Sequence, residues 1–81
     1  MSASSAALRR GLALAQWEPI DLWRAALGTG GHFTRHDIEA LLDGGRAATP
    51  TEHDILASTL NDHFLDQDGG HSLRYWSELD G

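Results

Sequence analysis

Glu52, Asp54, Asp62, Asp66 and Asp68, followed by the adjacent rings of Tyr75 and Trp76, are the residues of this 81-residue chain best suited to chemistry. The chemistry they offer is recognition. Carboxylates attract a basic surface through space, and a large exposed ring anchors the centre of an interface. Their charge is not shared with the rest of the chain. Residues 1–46 hold five arginines (Arg9, Arg10, Arg24, Arg35, Arg46) against five acids (Glu18, Asp21, Asp37, Glu39, Asp43), which cancel. Residues 47–81 hold Arg74 alone against those five acids, Glu78 and Asp80, so the whole net charge of −6 belongs to them. The chain has no lysine. Such a segment favours a basic protein over nucleic acid or an anionic lipid surface.

Other chemistries fit the spacing poorly. His32 and His36 are four apart, as two metal ligands on one helix face would be, but His32 precedes the expected helix start at Thr34. His53, His63 and His71 have no ligand spacing among themselves, so no metal site is expected. Asp66-Gln67-Asp68-Gly69-Gly70 resembles the opening of a calcium loop, which requires glycine sixth and glutamate twelfth. Counted from Asp66, those positions are His71 and Ser77, and a turn is the better reading. The glycines at 28, 30 and 31 lack the lysine of a phosphate loop. Nothing nominates a catalytic residue or a cofactor, and a chain this short rarely encloses a substrate pocket, so a non-enzyme is expected.

Four helices can position the acids. Ser4 or Ser5 can cap one through about Gln16, with Leu8, Leu12 and Ala15 inward and Gly11 weakening it. Its start is expected to fray. After the break at Trp17-Glu18, Pro19 opens a second helix with Ile20, Trp23 and Leu27 as its apolar stripe. Thr34 with Asp37, flanked by Phe33 and Ile38, marks a capped third start, burying Ile38, Leu41 and Leu42 before Gly44-Gly45. Thr49, Pro50 and Glu52 form the clearest start of all, for a helix to about His63 with Ile55, Leu56, Leu60 and Phe64 inward. Beyond it, Asp68-Gly69-Gly70 signals a turn and residues 72–76 alternate as in a strand. A C-terminal β-hairpin is expected there, with a short helix over residues 73–79 as the competitor. Its two rings, Tyr75 and Trp76, would then point to opposite faces.

These elements describe one domain over residues 1–81, with 1–16 as a frayed N-terminal helix and 19–79 as the core. The expected class is mostly α, three to four short helices plus a C-terminal hairpin, with an all-α bundle as the alternative. No apolar stretch reaches membrane-spanning length, the first ten residues lack the core of a secretory signal, and the absence of cysteine fits a reducing cytoplasm.

Over residues 19–79 the order of helix, capped helix, helix and glycine-turned hairpin ending Leu73-Arg74-Tyr75-Trp76 resembles a winged helix-turn-helix domain. That resemblance implies a DNA-reading third helix and a phosphate-touching wing, yet the matching positions carry Glu52, His53, Asp54, Ser58, Asn61, Asp62, Asp66 and Asp68. The same region, from Phe33-Thr34 through the acidic helix to Tyr75-Trp76, resembles the middle of the small acidic immunity proteins that inhibit bacteriocin nucleases. There the resemblance implies an inhibitory face made of Asp54, Asp62, Tyr75 and Trp76. The leading functional expectation is a non-catalytic interaction module (inhibitor, immunity factor or adaptor) for a basic protein. The alternative is a dimeric DNA-binding regulator using Arg9, Arg10, Arg24, Arg35 and Arg46.

Overall fold

The computed structural model describes residues 3–28, 32–67 and 70–79. Among them lie four α-helices, α1 (Ala3–Ala15), α2 (Pro19–Gly28), α3 (Arg35–Asp43) and α4 (Pro50–Asp66), and one 3-10 turn, Trp76–Glu78. The longest helix, α4, is the hub: α1 and α2 each pack against both α3 and α4, and the 3-10 turn lies on α4.

Both helix starts read from threonines carry complete capping boxes. Thr34 Oγ1 accepts from the Asp37 N–H at 3.0 Å while Asp37 accepts from the Thr34 N–H at 3.0 Å. Thr49 Oγ1 accepts from the Glu52 N–H at 3.1 Å, and Glu52 accepts from the Thr49 N–H at 2.9 Å. Arg46, in the α3–α4 connection, joins the two boxes. Its guanidinium donates to both oxygens of Glu52 at 3.1 and 2.9 Å and lies 4.0 Å from Asp37. Gly44 ends α3 at φ 83°, a conformation in which glycine carries no Cβ penalty.

The core is formed by Leu8, Leu12 and Ala15 of α1, Leu22 and Ala26 of α2, Ile38, Leu41 and Leu42 of α3, and Leu56, Ala57, Leu60 and Phe64 of α4, closed by Phe33, Ala48 and Leu73. Two expectations need correction here. On α2 the buried face is Leu22 and Ala26, about 100° round the helix from the expected stripe, and Leu27 is half exposed. Ile20 and Trp23 lie at its edge, and the Trp23 indole reaches out to donate to the Phe33 carbonyl at 2.8 Å. The amphipathic ring of tryptophan suits such a boundary position. At the N-terminus, Ser4 and Ser5, expected as caps of α1, lie inside it and are both buried, and Ser5 Oγ donates to the Leu41 carbonyl of α3 at 2.7 Å.

The expected C-terminal hairpin is absent: no strand occurs among the described residues. Phe64, Leu65 and Asp66, which would have formed its first arm, belong to α4. Residues 71–75 lie in neither helix nor strand, and their main chain bonds to side chains of α4. Asn61 accepts from the Leu73 N–H at 2.7 Å and donates to its carbonyl at 3.2 Å. The winged-helix-like expectation therefore gives way to the all-α alternative, with Trp76–Glu78 falling inside the span of the competing short helix. An isolated two-stranded ribbon is marginal in water, and packing on a helix satisfies the same backbone groups while burying Leu73.

Gly11 is what lets that segment dock. A Cβ at position 11 would sit 2.7 Å from Leu73 Cδ1 and 2.9 Å from Leu60 Cδ1, so the glycine that weakens α1 locally makes room for the tail. Gly11→Val should lower stability by about 2–3 kcal/mol in urea unfolding by overpacking this contact, and a variant as stable as the parent would show that Leu73 can withdraw freely. The capping-box acids carry a pH prediction. The Arg46 guanidinium, above all, holds Glu52 below its ordinary value of 4.5, and the Thr34 backbone bond holds Asp37 below 3.8. Folded values below unfolded ones mean that this stabilisation is complete above the ordinary values and is lost as pH falls through the folded ones. Urea unfolding should show stability declining from about pH 5 downward, with a shallower slope in Glu52→Gln. An unchanged slope would remove Glu52 as a cause.

Candidate functional site

The 3.6-residue period gives α4 two working faces. Inward point His53, Leu56, Ala57, Leu60 and Phe64, all buried. Outward, Thr51, Ile55, Ser58, Asp62 and Leu65 recur at 4-3-4-3 spacing, with Asp54 and Asp66 beside them. Leu65 is 76% exposed.

Three of the expected partner-binding residues come together at the first half of this outer face. Asp54 accepts from the Trp76 N–H at 2.7 Å, which sets the 3-10 turn against α4. Asp54 and Tyr75 share a shallow depression of about 430 Å3 with Thr51, Ile55 and Ser58. Tyr75 and Trp76, at the start of the 3-10 turn, are each 38% exposed. Asp62 and Asp66 lie about 12–18 Å further along the same face at 1.5 Å per residue. They border a second depression of about 230 Å3 beside Trp17 and His63, whose rings meet at a 36° tilt with centroids 4.3 Å apart. Glu52 does not join them: it is spent on Arg46 and the Thr49 cap. Asp68 lies outside the described residues. Among the described residues no arginine is paired with Asp54, Asp62 or Asp66, and no cluster of three His, Cys, Asp or Glu side chains could hold a metal.

The arginines of the DNA-binding alternative are dispersed over α1, α2, α3 and the α3–α4 connection. Arg46 is bidentate with Glu52 and so has no open fork for a phosphate.

Sequence reading missed the role of one buried side chain. His53, fully buried, places Nε2 2.8 Å from the Arg74 carbonyl and Nδ1 2.7 Å from Ser4 Oγ. A carbonyl can only accept, so Nε2 carries the proton, and in the neutral ring Nδ1 accepts from the Ser4 hydroxyl. Hydroxyl, imidazole and an orienting acceptor are the parts of an activated nucleophile. Here they are sealed: Ser4 is 2% exposed, the Trp76 ring meets the imidazole edge-on at 6.1 Å, and the adjoining pocket is about 130 Å3. Substrate pockets run from about 300 Å3 upward. The arrangement joins the two ends of the described chain to α4. A signal for it existed, since His53, Leu56, Leu60 and Phe64 share the i, i+3, i+7, i+11 stripe. Asn61, which clamps Leu73, carries no comparable signal.

His53→Ala should cost about 3–5 kcal/mol in urea unfolding, through a cavity and two stranded hydrogen-bonding groups. His53→Gln, which can serve one of the two partners, should lose less, and equal losses would point to volume alone. Compared with known proteins, the chain has no match to a protein-family model, to a curated protein or to a solved structure.

Proposed function

We propose that this chain is a non-catalytic interaction module that presents the outer face of α4, with Tyr75 and Trp76 beside it, to a basic protein partner. The observation that carries the reading is the grouping of Asp54, Asp62 and Asp66 on one solvent face, with no arginine paired to them among the described residues. Glu52, the fourth acid of the helix, is neutralised by Arg46, so the unpaired negative charge is directional. The 4-3-4-3 stripe with Ile55 half-buried and Leu65 exposed suits an amphipathic helix laid along α4, its basic residues meeting the flanking carboxylates. Inhibitor, immunity factor and adaptor subunit all fit this mode. The sealed Ser4–His53 pair lends no support to a catalytic role.

The test uses a synthetic amphipathic helix rich in lysine and arginine, titrated into isotope-labelled protein by NMR, alongside affinity capture from the host lysate. Shifts should map to residues 51–66 and 75–76, and binding should weaken with salt. The double change Asp62→Asn with Asp66→Asn should weaken it about tenfold, and Leu65→Ala should weaken it without changing the salt slope. Shifts confined to other helices, or capture indifferent to both changes, would overturn the reading.

A further inference from the structure

On another side of the molecule the charge has the opposite sign. A cleft of about 500 Å3 opens between α1 and the C-terminal segment, lined by Ala7, Arg10, Ser72, Leu73, Arg74 and Leu79. Its volume falls in the range of small-molecule sites. Arg10 stands three residues after Ala7 and so shares its helix face. Across the cleft, the Asn61 bonds to both the N–H and the carbonyl of Leu73 hold that residue with its side chain in the core. Ser72 and Arg74, on either side of it in the chain, are exposed and line the cleft. Neither Arg10 nor Arg74 is within ion-pair distance of a carboxylate among the described residues. Glu78, the described acid nearest in sequence to Arg74, has turned its carboxylate to the Tyr75 N–H at 3.1 Å. Two exposed arginines without a carboxylate partner among the described residues, together with a serine, therefore border one cleft in an otherwise acidic protein, with apolar wall from Ala7, Leu73 and Leu79.

We infer that this cleft binds a phosphomonoester carrying an apolar or aromatic body. A guanidinium fork matches the oxygens of a phosphate in a bidentate manner, two forks match its dianionic charge, and the Ser72 hydroxyl adds a further donor. The apolar wall gives the rest of the ligand a surface to cover, which a bare inorganic ion would not use. The site lies apart from the acidic face of α4 and does not depend on the function proposed for it.

Phenyl phosphate, inorganic phosphate and benzoate, each titrated into the full-length protein at constant ionic strength and followed by NMR, test the proposal. Shifts should centre on Arg10, Ser72, Arg74 and Leu79, with phenyl phosphate binding about fivefold or more tighter than either inorganic phosphate or benzoate. Arg10→Gln with Arg74→Gln should weaken phenyl phosphate binding about tenfold or more, whereas Arg24→Gln with Arg35→Gln should leave it within about twofold. All four arginines are exposed, so the variants should melt like the parent, and Ser72→Ala gives a milder independent check. Equal losses in both double variants would reduce the effect to diffuse charge, benzoate binding as tightly as phenyl phosphate would make the site one for carboxylates, and shifts elsewhere would remove it. Each of these overturns the proposal.

Discussion

Both nitrogens of a buried imidazole must find partners, and His53 finds one at each end of the described chain. Ser4, at the start of α1, serves Nδ1, while the Arg74 carbonyl, in the C-terminal segment, serves Nε2. Leaving either group unmatched in the interior would cost about 1–3 kcal/mol, so α1 and the tail are held to α4 by the same ring. Ser5 extends the tie to α3 through the Leu41 carbonyl. A chain of 81 residues buries a small core, and a few satisfied polar links of this kind have a large part in choosing one arrangement over others.

The tail depends on that anchoring. Among the described residues its main chain has no strand partner, and three side chains of α4 stand in for one: Asn61 at Leu73, His53 at Arg74 and Asp54 at Trp76. Binding through backbone groups leaves the tail's own side chains free for other work. Leu73 drops against Gly11 and Leu60, Ser72 and Arg74 border the α1 cleft, and Tyr75 borders the depression over Asp54. One short segment thus helps build two surfaces of opposite charge. The sorting of that charge also depends on Arg46, which removes Glu52 from the outer face of α4 by bonding it across the α3–α4 connection.

Local signals were legible wherever a short stretch of chain decides its own conformation. The capping boxes at Thr34 and Thr49, the proline opening α4 and the glycine ending α3 involve partners three or four residues apart, and each forms as its residue types require. The stripes of α1 and α3 were readable because their apolar residues recur on one face, whereas on α4 Leu56, Leu60 and Phe64 are buried as expected and Ile55 is only half-buried, on the outer side. On α2 the same reasoning failed, since Ile20, Trp23 and Leu27 made the stronger stripe while Leu22 and Ala26 made the better fit to the neighbouring helices. The tail failed differently. Alternation in residues 72–76 pointed to a strand, but no strand forms among the described residues, and the main chain there bonds to side chains of α4, which alternation cannot foretell. The acids of the candidate site were visible as a run of charge, without a way to tell that Glu52 would be consumed and that Asp54, Asp62 and Asp66 would share a face.

By itself, then, the sequence determined four helix-forming segments, two of their capped starts, and the concentration of negative charge in the C-terminal half. These follow from propensity, capping and composition, which act over a single turn or simply add up. The tertiary structure decided which side of each helix is buried, where the tail lies, and which charges remain open to a partner. Those outcomes rest on Ser4 meeting His53 across 49 residues, Ser5 meeting Leu41 across 36 and Arg74 meeting His53 across 21. Contacts of that separation are set by how whole helices pack, and no local pattern encodes them.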